Sequence, residues 1–179
     1  MKYFLLLLLS VQGCSFDQEK STMPIKLYTF DCGALTFSDM DAFSSAGDYA
    51  GTTATFADGC FLVRHKDGDL LWDLGLNVEL IKDGPAQSGN TTVSLNKSLV
   101  QQLAEIDLVP GDIEFVSISH SDFDHVLQIS SFPNSTWIIN EKEINAMKKD
   151  GELTGMYSGF QNMKKIIFNG DYDVFGDGS

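Results

Sequence analysis

Six consecutive residues, His120-Ser121-Asp122-Phe123-Asp124-His125, place two imidazoles and two carboxylates in one turn. They include two of the chain's three histidines. Imidazole nitrogen and carboxylate oxygen are donors that zinc accepts, and manganese and iron take them as well. Side chains two apart in an extended segment point the same way, so His120 and Asp122 can face one cation. Asp124 and His125 follow on the next turn and can face a second. Two ions about 3.5–4 Å apart can share a hydroxide and polarise a carbonyl, and a bound ion brings its water to a pKa of about 7. The pattern therefore predicts metal-dependent hydrolysis that needs no Ser or Cys nucleophile. The plain alternative is a polar loop that binds nothing.

The elements around the cluster are those of an α/β (α+β) fold. Residues 113–119 (IEFVSIS) are largely apolar, as in a strand covered on both faces. The cluster follows at the C-terminal end of that strand, where α/β folds tend to place chemistry. Residues 25–30 alternate apolar and polar, and 60–65 read as a second strand. Lys66-Asp67-Gly68-Asp69 is a hairpin turn leading into a return strand over 70–74. Residues 38–53 and 82–92 are rich in polar turn formers and are expected to be loops. Leu95, Leu99, Leu103 and Ile106 recur at helical spacing and predict a helix over 94–107, stopped by Pro110-Gly111-Asp112. Residues 136–139 form another strand, Asn140 caps a helix over 141–149, and 165–168 is the last strand. The closing Gly176-Asp177-Gly178-Ser179 is a hairpin turn with no second strand after it. That pattern is expected of a chain stopping short of a whole domain, with a strand edge unpaired and one apolar face exposed.

At 179 residues, with 43% apolar and 21% charged residues, the composition is globular and one domain is the default. The net charge of −13 and the lack of a basic stripe argue against nucleic-acid binding. The same field suits cations and neutral small molecules. There is no G-x-S-x-G elbow, phosphate loop or dinucleotide fingerprint. His65, at the mouth of the hairpin, is expected at the surface. Asp171, Asp173 and Asp177 lack the spacing of a calcium loop.

The first residues read as an address. Lys2 is followed by an apolar run from Tyr3 to Leu9, then Val11-Gln12-Gly13-Cys14. This resembles a bacterial lipoprotein signal, which implies a signal over 1–14, lipidation of Cys14, a tether over 15–24 and a domain over 25–179. The expected location is the cell envelope, with the outer membrane favoured and membrane contact only through the anchor. An ordinary signal peptide, leaving a periplasmic protein, is the alternative. Cys32 and Cys60 each adjoin an apolar run and are expected to be packed thiols, a disulfide being the other outcome an oxidising compartment permits.

The cluster resembles the H-x-H-x-D-H motif of the metallo-β-lactamase superfamily. Residues 27–33 (LYTFDCG), 38–43 (SDMDAF), 60–65 (CFLVRH), 70–76 (LLWDLGL) and 171–178 (DYDVFGDG) resemble its N-acyl homoserine lactonase-like branch. The resemblance covers about 25–179. It implies the N-terminal half of an αββα sandwich, and two divalent ions, zinc before manganese or iron. His120 and Asp122 would hold the first ion, and Asp124 and His125 the second. Asp124 would also orient the attacking water and protonate the leaving group. Asp73 would orient a ligand from beneath, or else satisfy local backbone at a strand end. The implied reaction is hydroxide attack on a lactone or ester carbonyl at a dinuclear site. A non-catalytic lipoprotein fragment with at most metal binding is the first alternative, and a β-lactam hydrolase the second. Three departures stand out: Asp122 where the lactonases usually have His, Leu127 where Gly is usual, and Leu74 for the Thr of D-T-G. The family's remaining ligands, normally further along, are absent from this sequence.

Overall fold

A computed structural model of the chain describes residues 24–149 and 153–179. Cys14, with the signal segment, lies outside the described residues, as does all but the last residue of the tether. The elements run β1 (Lys26–Phe37), β2 (Ala54–His65), β3 (Gly68–Trp72), α1 (Glu79–Asp83), β4 (Ala86–Ser88), β5 (Thr91–Ser94), α2 (Leu99–Ala104), β6 (Phe115–Ser117), β7 (Thr136–Asn140), α3 (Glu141–Met147) and β8 (Lys165–Phe168). They build one eight-stranded sheet in the order β4-β5-β1-β2-β3-β6-β7-β8. The half from β4 to β3 pairs antiparallel, and β3, β6, β7 and β8 run parallel.

Register explains the core. Leu62, Leu71, Val116 and Trp137 stand opposite one another on neighbouring strands and are fully buried. Leu99 and Leu103 of α2 and Ile144 and Met147 of α3 join the same cluster. These two helices therefore cover one face of the sheet. On the other face Phe61 stands opposite Trp72, and both are exposed, as is Leu27 further along β1. Such one-sided cover is what half of an αββα sandwich presents.

Four sequence expectations are corrected. The helix over 94–107 shrinks to Leu99–Ala104 because Ser98 caps it. The Ser98 side chain accepts from the Gln101 amide while Gln101 reaches back to the Ser98 amide, which fixes the start at Leu99. Asp107, at φ 60°, ends the turn that follows. The loop over 82–92 contains the β4–β5 hairpin, turning at Gly89, whose φ is 59°. Its strands are short and polar, so no apolar alternation announced them.

Cys32 and Cys60 are not packed thiols: they form a disulfide with a Cα separation of 5.8 Å. Both point into the core from adjacent strands, and a β-bulge between Asp31 and Gly33 shifts the register so that they meet. Gln102 clamps that bulge, its Oε1 accepting from the Asp31 amide (2.9 Å) and its Nε2 donating to the Asp31 carbonyl (2.8 Å).

His65 is buried rather than at the surface. Its Nδ1 accepts from the Asp67 amide at 3.2 Å, so Nε2 carries the hydrogen and donates to Asp177 Oδ2 at 3.1 Å. Its ring stacks on Phe175, 4.1 Å between centroids. The last residues of the chain thus fold back over the hairpin mouth and cover it.

Candidate metal centre

Neighbouring parallel strands β3 and β6 end side by side, and the cluster grows from that edge. Asp73, directly after β3, sits at φ 64°, a left-handed conformation that strains a side-chain-bearing residue. The turn aims its buried carboxylate at the cluster loop. One oxygen accepts from the Ser119 amide at 2.6 Å. The other lies 3.1 Å from His125 Nδ1, at ion-pair distance but off the line of a hydrogen bond.

Backbone bonds hold the far end of the loop. The Leu74 amide donates to the His125 carbonyl (3.0 Å), Leu127 to Gly75 (3.0 Å) and Gln128 to Leu74 (3.1 Å). Gly75 is required there. At φ 59°, any Cβ would lie 2.7 Å from the Cys32 Cβ. Tyr157 adds an outside strut, its hydroxyl donating to the Ser121 carbonyl at 2.8 Å.

The four candidate ligands meet as two pairs. His120 Nε2 lies 3.2 Å from Asp122 Oδ2, with side chains 47% and 72% exposed. His125 Nε2 lies 3.5 Å from Asp124 Oδ2, each side chain 18% exposed. The first pair is therefore the outer one and the second the inner one. The two imidazole rings are 4.2 Å apart between centroids. Each ring has its Nδ1 engaged from behind, His120 by the Ser119 hydroxyl (3.0 Å) and His125 by Asp73, which leaves both Nε2 atoms on the carboxylate side. Imidazoles that ligate metals are oriented in this way by partners on the opposite nitrogen. The donor chemistry and ring orientation fit divalent ions. The Asp73 carboxylate raises the His125 pKa above that of free imidazole, against the opposing effect of burial.

The four ligand atoms do not close into a single tight group. Among the described residues, the one set of three such side chains with ligand atoms within 4.8 Å of one another is His65, Asp67 and Asp177. That set is already held by hydrogen bonds and by Lys66, which pairs with both carboxylates. It is a structural latch.

One residue at the site escaped the sequence reading. Asp58 of β2 is 5% exposed, and neither carboxylate oxygen has a hydrogen-bond partner. With Asp124 and His125 it lines a cavity of about 400 Å³, walled by Leu35, Phe37, Phe43 and Phe56. Burial pushes its pKa up to about 7; nearby Asp124, Asp73 and Asp31 add to the rise and His125 opposes it. The available signal was an Asp two residues before an inward-facing Cys in an alternating strand.

No family model matches the chain. It is similar to the N-acyl homoserine lactonases AttM of Rhizobium johnstonii, at 27% identity over 66% of this chain and 51% of the relative. The AttM lactonase of Azorhizobium caulinodans is 25% identical over 87% of this chain and 64% of the relative. The chain thus spans about half to two thirds of the length of these relatives. Among solved structures, the lactonase AiiA of B. thuringiensis, with N-decanoyl-L-homoserine bound at its active site, superposes with a TM-score of 0.70 at 22% identity, covering 86% of this chain and 64% of that one. A putative metallo-β-lactamase of Thermotoga maritima gives 0.51 at 19% identity, over 84% and 62%. Fold and cluster together make this a protein of the metallo-β-lactamase fold. The sequence relatives it is similar to are N-acyl homoserine lactonases.

Proposed function

We propose that this chain carries the ligand-bearing half of a metal-dependent lactonase, with N-acyl homoserine lactones as the substrate class and quorum quenching as the role. The observation that carries the reading is the double pairing at one strand edge, His120 with Asp122 and His125 with Asp124, both rings oriented from behind. Two divalent ions, with zinc as the first choice, would supply an activated water and a polarised carbonyl when bound.

The residues of this chain do the rest. His120 and Asp122 hold the outer position and His125 and Asp124 the inner one. Asp124 orients the attacking water and returns a proton to the leaving alkoxide. Asp73 keeps His125 and the loop in place. Beside the cluster, Leu76, Leu80, Val93, Phe123 and Leu127 line an apolar groove of about 400 Å³, which suits an acyl chain.

The test is hydrolysis of N-acyl homoserine lactones of increasing chain length beside nitrocefin, using the full chain loaded with zinc. The expected result is metal-dependent ring opening, a drop of about 10²–10⁴-fold in Asp124→Ala, and no nitrocefin turnover. Bound metal without lactone turnover would refute it in favour of a binding protein. Nitrocefin turnover alone would make it a β-lactam hydrolase.

The same proposal places the protein in the bacterial envelope, lipid-anchored through Cys14. The disulfide between Cys32 and Cys60 supports an oxidising compartment. A Cys14→Ser variant should leave the membrane fraction and lose labelling by a fatty-acid probe. Unchanged membrane association would refute the anchor.

A further inference from the structure

Along β2 the side chains of Asp58, Cys60 and Leu62 fall on one face. Cys60 and Leu62 are fully buried in the core. Asp58 continues their row and opens into the cavity shared with Asp124 and His125. It is 5% exposed, and both of its oxygens are buried without a hydrogen-bond partner. Phe37, Phe43 and Phe56 wall the cavity, Phe37 standing edge-on to the other two at centroid distances of 5.0 and 5.8 Å. Leu35 adds to that wall. None of these side chains has a hydrogen to donate.

A buried carboxyl group left unpaired is costly. Among the described residues, the ligand atoms of Asp58 do not converge with those of Asp124 and His125 into a metal-binding set, so its missing partner is not an ion held in common. The charges around it are Asp124, Asp73 and Asp31 against the single imidazole of His125, an environment that turns anions away. The partner that suits Asp58 is an N–H or O–H on an otherwise apolar molecule without negative charge. The apolar wall makes such a bond stronger than it is in water. An N-acyl homoserine lactone has that form. Its amide N–H sits on the ring carbon next to the carbonyl, so a ring held at Asp124 and His125 brings the donor into the cavity they share with Asp58.

Resting on the lactonase reading above, we infer that Asp58 accepts the hydrogen of the substrate's amide N–H and so selects N-acylamino lactones over lactones with no donor at that carbon. It is a substrate-binding residue on a strand that carries no part of the cluster motif.

The test compares an N-acyl homoserine lactone with an α-alkyl-γ-butyrolactone of matched chain length, using the zinc-loaded full chain as wild type, Asp58→Leu and Asp58→Asn. The ratio of the two kcat/KM values cancels any difference in intrinsic reactivity when it is compared between proteins. Asp58→Leu should lower that ratio about 10–100-fold, through KM for the acylamino lactone, and leave the alkyl lactone unchanged. Asp58→Asn keeps an acceptor oxygen and loses the charge, so it should fall between. Calorimetric binding of the corresponding lactams, which resist ring opening, should show the same split in Kd. Thermal melts check folding: neither variant should melt below wild type, because each removes an unpaired buried carboxyl. Turnover or lactam binding with the same ratio in all three proteins would overturn this inference alone. Neither turnover nor lactam binding by wild type would overturn it together with the lactonase reading.

Discussion

Replacing Asp73 tests whether the cluster is held from beneath. Its carboxylate accepts one short bond from the Ser119 amide, 2.6 Å, and faces His125 Nδ1 at 3.1 Å. A hydrogen bond to a charged group contributes about 1.5–3 kcal/mol, and Asp73→Ala also strips His125 of its partner. The loss should total about 2–4 kcal/mol, which for a chain of this size lowers the melting temperature by about 10 °C. Asp73→Asn keeps an acceptor for Ser119 and loses the charge, so it should cost less and depend on pH. The His125 pKa is raised in the folded protein above its unfolded value of 6.5. A raised histidine contributes stability that is fully present below that unfolded value and is lost as pH rises through the folded one. The deficit of Asp73→Asn against wild type should therefore be larger at about pH 5.5 than at about pH 9. Melts followed by circular dichroism on metal-free protein measure both effects. A deficit equal at the two pH values, or an Asp73→Ala cost within the ±0.5 kcal/mol or so of a surface change, would refute the role given to Asp73.

Three further outcomes are expected. The disulfide spans 28 residues, so Cys60→Ser should cost about 3.6 kcal/mol by loop entropy, and reductant should bring wild type down to the variant's melting temperature; a reductant-insensitive melt would count against the bridge. Gly75→Ala combines a left-handed φ with a contact at 2.7 Å and should cost about 2–4 kcal/mol in urea unfolding, where an unchanged midpoint would show that the β3 exit tolerates a side chain. Asp58 is raised from 3.8 to about 7, so metal-free wild type should lose stability as pH climbs from about 4 through 7, and Asp58→Asn should flatten that slope; parallel pH profiles for the two proteins would contradict the burial argument.

The cluster was legible because its chemistry is local: six adjacent residues carry the ligand types, and the apolar strand before them signals where they sit. Residues 165–168 were legible for a similar reason, as an apolar run with clear flanks. What was not legible depends on register. Cys32 and Cys60 meet only because a bulge advances β1 by one residue, and no spacing in the sequence announces a bulge. His65 looks like a surface residue until the C-terminal segment folds over it. The β4–β5 hairpin lacks apolar alternation, because its strands pair at a polar edge of the sheet. Asp58 illustrates the same limit at the site itself. Its distance from the cluster along the chain hid it, and the strand expected over 60–65 stops short of it, whereas β2 begins at Ala54.

The loop at the centre is clamped by groups other than its four candidate ligands: the Asp73 carboxylate, three backbone bonds from residues 74, 127 and 128, and the Tyr157 hydroxyl. Shape and chemistry are thereby inherited separately. A side chain such as Asp122 can be exchanged in the course of descent while the loop keeps its outline, so this scaffold can try new metals and substrates without first learning to fold again.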